Sequence, residues 1–68
     1  MTDSYKGKNI AEIMQSVLTR KDIARIDVNY VADGENSSGE IQLIENNGDW
    51  WTITIGNNGI CTMVDCMD

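Results

Sequence analysis

The sequence predicts an α+β domain: one N-terminal helix packed on a four-stranded antiparallel β-meander. Three observations predict it. Ile10, Ile13, Met14, Val17 and Leu18 recur at the helical spacing and form one apolar stripe. After Asp22 the period changes to two, in runs rich in isoleucine, valine, threonine and tryptophan that suit a pleated sheet. The breaks between those runs all combine glycine with asparagine, aspartate or serine, as hairpin connections do.

The helix is expected from about Asn9 to Arg20. Asn9 followed three places later by Glu12 resembles a capping box, and Arg20 and Lys21 stand where a helix C-terminus favours cations. The first strand, "RIDVNYV", turns Ile26, Val28 and Tyr30 to one side. The second, "EIQLIE", turns Ile41 and Leu43 that way, and "WTITI" does so with Trp51, Ile53 and Ile55. Turn chemistry sets the register. A two-residue turn at Asn47-Gly48 would separate the apolar residues onto two faces. A three-residue loop Asn46-Asn47-Gly48, with Gly48 at positive φ, pairs Leu43 with Trp51 and Ile41 with Ile53. Across "GNNG", pairing of Ile55 with Ile60 sets Trp51 beside Val64 and turns Cys61 outward.

The second face of this sheet then carries Asp27 and Asn29 from the first strand, and Glu40, Gln42 and Ile44 from the second. Trp50, Thr52 and Thr54 follow from the third, and Cys61, Met63 and Asp65 from the fourth. Ile44 and Trp50 face each other there with Met63 nearby. Trp51 belongs to the core, whereas Trp50 is either a cross-strand partner of Ile44 or an anchor for a protein partner.

Sixty-eight residues make one domain, 1–68, which buries roughly 60% of its unfolded surface and leaves no room for a deep pocket. No secretory signal or apolar membrane span is visible. Cys61 and Cys66 are expected as reduced thiols, because five positions apart on one strand they point to opposite faces. The chain has no histidine, which removes the usual general base and most zinc sites. Ser37 and Ser38 have no evident base, and a carboxylate pair such as Asp33 and Glu35 lacks a cleft to tune it. "DGENSSGE" offers oxygen ligands at Asp33, Glu35, Ser37 and Glu40, but no alignment satisfies the spacing of a helix–loop–helix calcium site. Neither an enzyme nor a cofactor is expected.

Charge is the informative feature. The net charge is −6, yet residues 1–25 hold all five bases against three acids, and residues 26–68 hold eight acids and no base. Such asymmetry marks an interaction surface. Its sign disfavours direct nucleic-acid binding, which needs cations to displace phosphate counterions. A basic protein partner is expected, held by Asp27, Asp33, Glu35, Glu40, Glu45 and Asp49, with Trp50, Ile44 and Met63 as apolar contacts. An alternative is a small homodimeric module that buries the Trp50 face against its own copy.

In size, charge and predicted architecture the chain resembles the small acidic anti-CRISPR inhibitors of phages and mobile elements, several of which imitate DNA. A more local likeness lies in "VNYVADGENSSGEIQLIE", where Val28, Tyr30, Ser38, Gly39 and Ile41 match a V-x-Y-x-G-x-G-D-S-G-x-I pattern of small acidic bacterial and phage proteins. Here the loop is longer, with Asn36 and Ser37 in place of a Gly-Asp step. The first resemblance implies an inhibitor in the cytoplasm of a bacterial host, offering carboxylates to the basic nucleic-acid groove of a CRISPR effector or another nucleic-acid-handling protein.

Overall fold

The structure, a computed structural model, describes residues 5–67, so the acids Asp3 and Asp68 lie outside the described residues. Helix α1 runs Ile10–Leu18, and strands β1 (Ile23–Val31), β2 (Ser38–Glu45), β3 (Trp50–Ile55) and β4 (Cys61–Met67) follow. They form one antiparallel sheet in the order β1-β2-β3-β4, the meander expected from the alternation.

Local chemistry starts and stops the helix. The Asn9 side chain accepts a hydrogen bond from the Glu12 backbone N–H at 2.9 Å, satisfying one of the donors a helix start leaves open. At the other end the Thr19 N–H and hydroxyl both donate to the Ser16 carbonyl. The helix is therefore shorter than its apolar spacing suggests. Ile13 and Val17 are buried, Ile10 and Met14 flank them, and Leu18 falls off the stripe at 68% exposure. Arg20 and Lys21 lie beyond the last turn, so neither serves its dipole.

The β2–β3 hairpin has the three-residue connection that gathers Ile41, Leu43, Trp51, Ile53 and Ile55 on one face. Leu43 pairs with Trp51, Ile41 with Ile53 and Ile44 with Trp50. The Glu45 N–H donates to the Asp49 carbonyl, the Gly48 N–H donates to the Glu45 carbonyl, and Gly48 has φ +95°. Between β1 and β2, Gly39 sits opposite Tyr30 where a Cβ would collide with the β1 backbone at Asn29 and Tyr30, so a side chain there cannot be seated without moving a strand.

The β3–β4 register differs from the expectation. Gly56 N–H bonds to the Ile60 carbonyl around a turn at Asn57–Gly59, in which Asn58 (φ +61°) and Gly59 (φ +74°) are both left-handed. This turn is one residue longer than expected and pairs Ile55 with Cys61 instead of Ile60, which turns Cys61 into the core at 2% exposure. A bulge at Thr62 then advances the register once more, setting Met63 opposite Thr54 and Val64 opposite Ile53. Two single steps restore the original faces of Met63 and Asp65. Cys61 alone of the predicted outer residues changes side.

The core comprises Tyr5, Ile13, Val17, Ile41, Leu43, Trp51, Ile53, Ile55 and Cys61. Tyr5 belongs to no periodic run. It enters because residues 7–9 lie along the start of β4: the Gly7 N–H donates to the Cys61 carbonyl, the Cys61 N–H to the Lys8 carbonyl, and Asn9 bridges Ile60. This carries the Tyr5 ring to 5.9 Å from that of Trp51 at a tilt of 54°.

Candidate functional site

Helix α1 covers one face of the sheet, and strand pairing arranges the other into three rows. The first reads Asn29, Glu40, Thr54, Met63; the second Asp27, Gln42, Thr52, Asp65; the third Arg25, Ile44, Trp50 and then the backbone of Met67. Ile44 and Trp50 are direct neighbours, and Trp50 is 43% exposed beside a shallow depression it shares with Gln42. Met63 is also exposed but lies two rows from Trp50, moved away from it by the β4 register. The expected cluster of Ile44, Trp50 and Met63 is thus a pair and a separate methionine.

The acids divide into three settings. Asp27, Glu40 and Asp65 stand on the open face, with Asp27 in an exposed ion pair with Arg25 at 3.0 Å. Asp33 and Glu35 project from the β1–β2 turn, which includes a short 3₁₀ segment, Gly34–Asn36. Ser37 organises that turn from within. Its buried hydroxyl accepts from the Asp33 N–H at 2.9 Å and donates to the Gly34 carbonyl at 2.7 Å, so the turn is closed without using either carboxylate. The sequence marks Ser37 only as a loop serine.

Glu45 and Asp49 form the third setting, at the opposite end of the sheet, and neither projects freely. Asp49 accepts from the Asn47 side-chain amide at 3.0 Å, while its own N–H donates to the Asn47 carbonyl oxygen of the side chain. Glu45 lies on the helix side of β2 and accepts from Arg20 at 2.7 Å, with its side chain only 14% exposed. The pleat turns Glu45 to the same side as Leu43, away from the open face that holds Asp27 and Glu40.

Arg20 is the group that sequence reading missed. Its guanidinium donates to both Asp22 carboxylate oxygens, at 2.9 and 2.6 Å, and to Glu45, while lying 4.8 Å over the Trp51 ring. The hydrogen bond from Arg20 holds the Asp22 carboxyl below its usual range, and the same bond raises Arg20 further above its already high value. The Arg20-Lys21-Asp22 spacing is a faint signal of the first pair. Nothing local signals Glu45, 25 positions away.

Burial raises the Cys61 thiol. Neither Cys61 nor Cys66 forms a disulfide. Among the described residues no group of three or more histidine, cysteine, aspartate or glutamate side chains is placed to hold a metal ion, and no helix is long and apolar enough to cross a membrane. An open groove beside α1 is lined by Tyr5, Lys8, Glu12, Gln15, Ser16 and Thr19. The chain matches no known family, no curated protein and no solved structure.

Proposed function

We propose that this chain is an acidic inhibitor that occupies the basic nucleic-acid groove of a nucleic-acid-handling protein, with a CRISPR effector as the class its resemblance suggests. The supporting observation is the uncovered sheet face, where the Ile44–Trp50 pair is set among Asp27, Glu40 and Asp65 with Arg25 as the one base among the described residues of that face. With strands ~4.8 Å apart and alternate residues ~6.8 Å apart, the Asp27 and Glu40 backbones are ~8 Å from each other and those of Glu40 and Asp65 ~12 Å. These separations fall in the range of DNA groove widths, ~6 to ~12 Å. Lysine and arginine arranged for phosphates will accept carboxylates at such spacings, and long-range attraction speeds the encounter. Trp50 supplies the desolvated anchor that exposed charge contacts lack.

A second reading, a homodimer through the Trp50 face, has the exposure of Trp50 in its favour. Two copies meeting there would bring Asp27, Glu40 and Asp65 against the same acids, so a basic partner suits the face better. The test is the triple variant E35K/E40K/D65K, with E35 included because it extends the acidic surface past the end of the sheet. It is expected to abolish binding to a basic effector, and nucleic acid is expected to compete with the wild-type protein. Wild-type affinity should fall steeply between low and physiological salt. Full binding by a triple variant with an unchanged circular dichroism spectrum would remove DNA mimicry from consideration.

A further inference from the structure

We infer that β1 is a self-pairing edge, through which two copies join antiparallel into one eight-stranded sheet. β1 is hydrogen-bonded on one side to β2, and among the described residues no strand pairs with its other side over Ile23–Val31. Open edges are sites where another strand adds. The opposite edge, β4, is already occupied at its start by residues 7–9. β1 also carries no proline, and its bulge is confined to the start, between Ile23 and Arg25.

Among registers centred on residues 25 to 28, charge favours one. Along an edge strand, outward-pointing backbone groups alternate with inward ones, so a two-fold antiparallel pairing must be centred on a residue. Centring on Arg25 opposes arginine to arginine, and centring on Asp27 opposes aspartate to aspartate. Centring on Val28 sets Asp27 against Asn29 and Arg25 against Val31. Centring on Ile26 sets Arg25 of each copy opposite Asp27 of the other. Both side chains are at least half exposed and already paired within the chain at 3.0 Å, so dimerisation closes a ring of four alternating charges. On the helix side the same register stacks Ile26 on Ile26, with Val28, 49% exposed in the single chain, next along the seam.

The occupant is therefore a second copy; the association does not depend on the proposed function, although it shares Asp27 with the open face. A two-strand contact is small, so the dimer is expected at concentrations on the order of 0.1 mM. Sedimentation equilibrium on the intact chain tests it. Wild type is expected to dimerise, R25E and D27R each to weaken the dimer at least tenfold, and an equimolar mixture of the two to associate, since every opposed pair in the mixed dimer is again attractive. W50A is expected to dimerise like wild type. Should a single reversal lose the fold, the swap R25E/D27R decides, because it keeps both reciprocal pairs and must dimerise. A wild type that is monomeric at ~1 mM, single reversals that associate unimpaired, a mixture or swap that stays monomeric, or a dimer abolished by W50A would each overturn the proposal.

Discussion

Arg20 ties three parts of the chain together: the segment leaving α1, the end of β2, and the Trp51 ring in the core. Its aliphatic stem and flat head cover apolar surface while its donors meet two carboxylates, a combination lysine cannot reproduce. Arg20→Met is expected to cost about 1–3 kcal/mol, because Glu45 is left half-buried without its charged donor. Urea denaturation at neutral pH measures this. The pH dependence has a defined sign. Asp22 is lowered in the folded protein, so its contribution is complete above the ordinary aspartate value of 3.8 and is lost as pH falls towards its lowered value. Arg20, raised still higher, would lose its contribution only as pH rises beyond the working range. Arg20→Met should therefore flatten the acid limb of the stability profile. An unchanged acid limb would assign that dependence to other carboxylates.

The hairpins are governed by single backbone positions. Gly48 at φ +95° closes the β2–β3 connection with open space around its Cβ position, so Gly48→Ala meets backbone strain without a clash. A loss of about 1 kcal/mol is expected from the denaturation midpoint. At the start of β4 the turn that pairs Cys61 with Ile55 makes Cys61 a core residue, the bulge at Thr62 following it, and this too can be measured. Cys61 should resist a thiol reagent at mildly alkaline pH until denaturant is added, because burial both shields the sulfur and raises its pKa. Labelling of Cys61 in the native protein at the rate of a small-molecule thiol would restore the outward register and refute the bulge.

For the molecule as a whole, charge works against compactness. Eight acids and no base follow Arg25, while the nearest bases are committed: Arg20 to Asp22 and Glu45, Arg25 to Asp27. Added salt screens the remaining repulsion more than it weakens these short pairs. The melting temperature is accordingly expected to rise by about 2–5 °C between low ionic strength and ~0.3 M sodium chloride, equivalent to a fraction of a kcal/mol in so small a domain. A falling melting temperature would mean that the ion pairs outweigh the repulsion. The same salt should weaken capture by a basic partner, so stability and binding are predicted to move in opposite directions.

Much of this architecture is legible in local pattern because the periods of helix and strand differ and a one-residue slip exposes every apolar side chain. That penalty determines α1, the four strands, the Leu43–Trp51 register and the inward turn of Trp51 from the sequence by itself. It also determines which face holds Asp27, Glu40, Ile44 and Trp50. Tertiary structure decided what local pattern leaves balanced. The β3–β4 turn is one residue longer than the Ile55–Ile60 pairing read from "GNNG", with Cys61 in the core and residues 7–9 bonded along it. Glu45 reads as one more acid in an acidic run until the pleat and the fold bring Arg20 to it across 25 positions. Alternation reports the face on which a side chain stands. The charge it meets there depends on distant segments converging in space, and no local spacing encodes that.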